Sequence, residues 1–253
     1  MWFLLSLTAL LCWSGSDLFS KIGCRDGGDR YSHLKMVIAV GVVMGLHAAF
    51  EIFVGGTAIS WSVIWTYLPV SLLYISSMAL GYLGLRYIEL SVSSPICNSS
   101  GALVAVLTLL FVGGEDYSPL ALVAILLVCV GAIGLGVVDA TEDPELRLER
   151  QKASNYKYAK SFLALALPAA YCLLDAAGTF ADNRVLEVLA DRYFSAGMFA
   201  TLKDCADQAA ASANCAYELT FLAAAVFCLI YVVVIKKDRL VPKMEAPKYF
   251  GAI

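Results

Sequence analysis

Two aspartates, Asp17 and Asp175, stand inside runs of apolar residues, and each closes the same short pattern. Trp13-Ser-Gly-Ser-Asp17 and Tyr171-Cys-Leu-Leu-Asp175 both place an aromatic residue four positions before an acid, at an offset of 158 residues. An acid in hydrocarbon is costly, so each is a candidate for work on a solute or a proton. Lys21 follows Asp17 by four positions and shares its helix face. The pair could hold a substrate ammonium, bind a proton or form half of a gate. The plainer alternative is an ion pair at the membrane edge, with Lys21 snorkelling to water. Asp175 has no basic residue one turn away. His47 and Glu51 are also spaced i, i+4 and could relay protons, or form an interfacial pair near the end of their span. Glu218 is read as opening a span and favouring its N-terminus through the helix dipole.

Other polar groups could line a pathway. Pro95 frees a backbone carbonyl one turn earlier, and Asn98, Ser99 and Ser100 could fill the gap or bind solute. Trp13, Tyr74, Tyr82 and Tyr171 could wall a cavity for amphipathic or cationic solutes. Gly131, Gly134 and Gly136 suggest close helix packing. The eight cysteines form no CxxC, and two histidines argue against zinc. Cys205 and Cys215 could pair if their loop lies in an oxidising compartment. Neither a P-loop, a zinc-protease motif, a nucleophile elbow nor a dinucleotide turn is present. No catalytic residue, metal or cofactor is therefore assigned, and the chain is read as not an enzyme.

These residues need membrane-spanning elements to hold them. The chain has 253 residues, 60% hydrophobic and 15% charged, with net charge −3 and mean hydropathy +0.75. A soluble domain could not hide so much apolar surface, and the charge offers no footprint for nucleic acid. Runs of about 20 apolar residues cross hydrocarbon as helices. Seven are expected: Trp2–Ser20, His33–Val54, Ser62–Leu85, Ser91–Val112, Leu120–Val138, Ser161–Phe180 and Tyr217–Ile235. The first lacks the positive flank of a signal peptide and is kept as a span. Fifteen Lys and Arg fall in the odd-numbered loops and three in the long loop Ala181–Ala216, which predicts an external N-terminus.

The charged stretch 140–158 divides the chain. Residues 1–139 form a first five-span repeat, 140–158 a cytoplasmic linker, and 159–253 a partial second repeat of two spans and the start of a third. The expected fold is all-α: a polytopic transmembrane helix bundle of seven complete spans plus a stub of an eighth. Its 5+5 inverted repeat would have an incomplete second half. On this count about three spans are missing, and a C-terminally truncated chain is expected.

Three segments carry a family resemblance: ALLCWSGSDLFSKIG (9–23), ALGYLGLRYIELSVSSPICNSS (79–100) and GGEDYSPLALVAILLVCVGAIGLG (113–136). Trp13, Ser14, Gly15 and Lys21, Pro95, the Gly114–Glu115 pair and the glycines of span 5 match the pattern of the EamA-type bacterial transporters of the drug/metabolite transporter superfamily, which the chain resembles. The second half resembles it more loosely, and the loop Ala181–Ala216 is longer than such proteins need. The resemblance implies a multi-pass protein of the bacterial plasma membrane. It implies alternating-access export of small metabolites such as amino acids or amines. The partners are then a small-molecule solute and the lipid bilayer, without nucleic acid; whether the chain forms a homo-oligomer stays open. The competing reading is a seven-span receptor or sensor with an external N-terminus. A membrane-embedded enzyme would need catalytic groups clustered at one depth, and the repeat puts Asp17 and Asp175 at opposite depths.

Overall fold

The computed structural model describes residues 2–24, 29–113, 117–143, 145–146, 149 and 162–253. The Gly114–Glu115 pair and most of the 140–158 linker lie outside them. Every regular element among the described residues is helical. In chain order these are α1 (Trp2–Cys24), α2 (Ser32–Phe53), α3 (Trp61–Gly84), α4 (Leu90–Cys97), α5 (Ser100–Phe111), α6 (Pro119–Thr141), α7 (Phe162–Ser195), α8 (Leu202–Leu229) and α9 (Pro242–Ala252). A π-helical turn, Ile230–Ile235, continues α8. Continuous apolar runs favour helices because a backbone in lipid must satisfy its own hydrogen bonds. Side-chain caps fix several starts. Ser60 accepts from the Val63 N–H, Ser118 from Ala121 ahead of Pro119, and Thr201 from Asp204.

Among the described residues, six spans are long and apolar enough to cross a membrane: Phe3–Cys24, Ser32–Phe53, Trp61–Gly84, Leu90–Phe111, Pro119–Thr141 and Leu202–Ile235. This is the architecture of a multi-pass helical membrane protein. The sequence count was seven. The helix holding the sixth expected span, α7, is not among the six. The side chains at its start are not described, and its second half carries Asp182, Arg184, Glu187, Asp191 and Arg192.

Five expectations are revised by the fold. The expected loop Ala181–Ala216 is mostly helix: α7 runs to Ser195 and α8 starts at Leu202. Six alanines between Ala206 and Ala216 supply high helix propensity there, although the segment is polar. Glu218 therefore sits in mid-helix, far from any N-terminal dipole. Cys205 and Cys215 lie on one helix as free thiols. Ten residues of rise, about 15 Å, keep them from bridging. The fourth span breaks into α4 and α5 at Asn98 and Ser99, both at φ −77°, ψ −2°. The expected stub of an eighth span is α9, a short helix packed along α1 and α2.

Two buried clusters hold the bundle. One joins α3, α7 and α8 through Val63, Tyr67, Val70, Leu189, Tyr193, Ala209, Ala213 and Ala216. The other joins α2, α3 and α8 through Met36, Val37, Val40, Ile75, Tyr82 and Phe221. Lipid is as apolar as these side chains, so close packing has to supply the association, and small residues at the seam allow it. The α2–α8 seam shows this. A Cβ on Gly41 would lie 2.3 Å from the Ala225 Cβ and 2.8 Å from the Phe221 carbonyl oxygen. The glycines expected to do this on α6 do not: Gly131, Gly134 and Gly136 have nothing within 4 Å of an added Cβ. No residue of α6 is buried. The helix lies at the periphery, so its glycines meet no neighbour to pack against.

Candidate functional site: a cavity beside a broken helix

A cavity of about 510 Å³ lies between α1, α3, α4, α8 and α9, with Tyr171 of α7 at its wall. Five of the residues singled out in the sequence line it: Trp13, Asp17, Tyr82, Asn98 and Tyr171. The break between α4 and α5 positions its polar edge. Asn98 Nδ2 donates to the Ser94 carbonyl at 2.9 Å and to Ser94 Oγ at 3.0 Å. Ser94 Oγ in turn donates to Asp17 Oδ2 at 2.5 Å. One α1 carboxylate is thus tied to the end of a discontinuous span. Unwound or broken helices of this kind are where membrane transporters place solute and ion sites. Four aromatic residues, Trp13, Tyr82, Tyr171 and Tyr217, contribute to the remaining wall, with Met44 and Met78 beside them. A carboxylate beside ring faces suits a small organic cation, through an ion pair and cation–π contact.

Asp175 has a parallel bond elsewhere. It is hydrogen-bonded by Ser100, the first residue of α5. The two aspartates therefore hold serines on either side of the same break, while only Asp17 lines the cavity. Other sequence candidates also lie outside it. Tyr74 donates to Thr179 Oγ1 at 3.0 Å, joining α3 to α7. Ser99 is buried and donates to the Ile96 carbonyl at 2.7 Å. Pro95 is exposed, one turn ahead of the break.

Lys21 does not snorkel. It is buried, and its Nζ donates to the carbonyls of Leu85 and Ile88, each at 2.5 Å. These carbonyls lie just past the end of α3, where helical oxygens lack intrahelical partners. His47 contacts Glu51 only at 3.9 Å; its close partner is Glu218 Oε1, at 2.8 Å from Nδ1.

Several important residues escaped the sequence reading. Ser94 links Asp17 to Asn98, and its spacing of four from Asn98 was the available signal. Lys35 and Lys248 were counted only among the loop charges, and Glu245 was not singled out. In the fold they close the end of the bundle below the cavity. Lys35 Nζ lies 2.9 Å from Asp29, 3.1 Å from Asp238 and 3.5 Å from Glu245. Lys248 pairs with Glu245 at 2.7 Å. Desolvation alone would raise the Asp238 carboxyl. The hydrogen bonds from Lys35 and the Arg239 N–H outweigh it and hold the group below the usual carboxylate range. This clamp fixes α9, whose Gly251 carbonyl accepts from Ser16 Oγ at 2.5 Å and whose last residues form part of the cavity lining.

No metal-binding group of three or more His, Cys, Asp or Glu occurs among the described residues. Comparison with family models, with curated proteins and with solved structures finds no match to this chain.

Proposed function

We propose that this protein is a secondary transporter of small metabolites, of the EamA type in the drug/metabolite superfamily, acting in a bacterial plasma membrane as an exporter. The observation that carries the reading is the Asp17–Ser94–Asn98 chain at a broken span, facing an aromatic cavity. Alternating access would move the helices around this cavity so that it opens to each side in turn. Asp17 would take the cationic group of an amine or amino acid. Trp13, Tyr82 and Tyr171 would cover the solute's apolar part. Asn98 and Ser94 would hold the carboxylate in place between turnovers.

Efflux of radiolabelled lysine and putrescine from cells expressing the protein tests this. Asp17→Asn should lower efflux by about tenfold or more, since a charge-assisted hydrogen bond or ion pair at a part-buried carboxylate is worth about 1.5 kcal/mol or more. Asp175→Asn, outside the cavity, should lower it less. Equal efflux from wild type, Asp17→Asn and cells lacking the protein would remove the proposal for these solutes.

A further inference from the structure

Glu218 sits on the α2–α8 seam and is not part of the cavity lining. Its side chain is 8% exposed. Oε1 is 2.8 Å from His47 Nδ1 and 3.1 Å from Asn214 Nδ2, which donates to it. Oε2 is buried and has no hydrogen-bond partner among the described residues. A carboxylate buried with one bare oxygen is costly, and proton uptake there relieves the cost. His47 provides the route. Its side chain is 54% exposed, and its Nε2 points toward Glu51, which is 34% exposed. Thr57 donates to Glu51 at 3.4 Å from the α2–α3 loop. The groups therefore run from the loop to the buried carboxylate in the order Glu51, His47, Glu218.

We propose that His47 and Glu218 form a proton-binding site, loaded from the α2–α3 end of the bundle, and that this proton is the coupling ion. The inference rests on the transport reading only for what the proton drives. In the loading step His47 Nε2 takes a proton from water near Glu51, and Nδ1 passes its own proton to Glu218. The ring ends neutral in its other tautomer, and Glu218 ends as a neutral acid. One proton enters and no other reactant is needed. The site stands one residue along α8 from the cavity wall. Tyr217, the next residue, lines the cavity, and its hydroxyl donates to Met78 Sδ at 3.3 Å.

The titratable neighbours are limited. From α2 the site meets His47 and Glu51. On α8 it has Cys215 and Tyr217. Across Tyr217 stand Tyr74 of α3, with rings 5.6 Å apart, and Asp175 of α7. His47 is the one basic group within hydrogen-bond reach of Glu218 among the described residues.

Infrared difference spectroscopy of the purified full chain in lipid, stepped through pH with no solute present, reads the carboxylic-acid carbonyl band directly. Wild type should show a band that appears on acidification and is absent in Glu218→Gln, which keeps the shape of the side chain. His47→Gln should move its midpoint upward by about 1 pH unit or more, because it removes the ring N–H that donates to the carboxylate at 2.8 Å and so favours the charged form. An unchanged band in Glu218→Gln, or a midpoint indifferent to His47→Gln, would overturn the proposal. No transported solute enters this experiment. Loss of the efflux signal with the band intact would therefore count against the transport reading and leave the proton site standing.

Discussion

The two ends of the α2–α8 seam each bury a carboxylate, and they neutralise it differently. At one end Lys35 gathers Asp29, Asp238 and Glu245 around one ammonium. At the other, Glu218 is met by His47 and by the Asn214 amide, with no lysine or arginine paired to it among the described residues. A lysine ammonium carries its charge throughout the physiological range, whereas a neutral imidazole can take a proton at one ring nitrogen and give one from the other. The first end is a fixed clamp on α9 and the second a group that can switch. Between them Gly41 lies against Ala225 and Phe221, and Gly45 against Leu222. One helix pair thus carries a permanent lock and a titratable site about three turns apart.

The largest effect should come from removing the fixed charge. Lys35→Met leaves the largely buried Asp29 and the partly exposed Asp238 without this cation, while Glu245 keeps Lys248, at a cost of about 3 kcal/mol. Thermal unfolding in detergent would show it, and a loss below about 1 kcal/mol would mean that the clamp is not structural. Next comes the seam between the ends. Gly41→Val meets backbone and a neighbouring Cβ, and overpacking of this kind costs about 1–3 kcal/mol. It should also uncouple the switch, so that His47→Gln no longer moves the Glu218 midpoint in the double variant. Retained coupling would show that the outer end is set by local contacts alone. A control away from both ends is Thr201→Ala, which removes the α8 cap at a cost of about 1 kcal/mol. It should change melting without changing the infrared titration.

The smallest effect, and the sharpest contrast, is in pH. The folded carboxyl of Asp238 lies below its ordinary 3.8. Its contribution is then fully present above that value and fades as pH falls through the lower folded one. The stability difference between wild type and Asp238→Asn should stay flat from about pH 5 to 8 and shrink only in acid. The effect of His47→Gln should instead follow the pH at which the Glu218 acid band appears in the infrared titration. A pH-independent His47 effect would erase the distinction between the two ends.

Which of these features could be read from the chain depended on how far apart the participants lie in sequence. Trp13, Asp17, Asn98 and Tyr171 stood out because each is polar or aromatic within an apolar run, and all four reached the cavity. The proline–asparagine–serine cluster at 95–100 pointed to a disturbed span, and the helix does break there. His47 was singled out with the neighbour four residues away, Glu51. Its close partner is 171 residues on, and no local spacing encodes that. The stretch Ala181–Ala216 was misjudged because polar residues look like a loop when their packing partners are unknown. Here alanines and Tyr193 close against α3.

The sequence by itself determined that the chain is a helical membrane protein, because apolar length and backbone hydrogen bonding leave few alternatives in lipid. It also marked the ionisable groups that hydrocarbon penalises. The tertiary structure decided what each group does. Whether an acid faces a cavity, a serine, a lysine or an imidazole depends on which helices meet. That is set by small-residue seams such as Gly41 against Ala225, whose partners lie far apart in the chain.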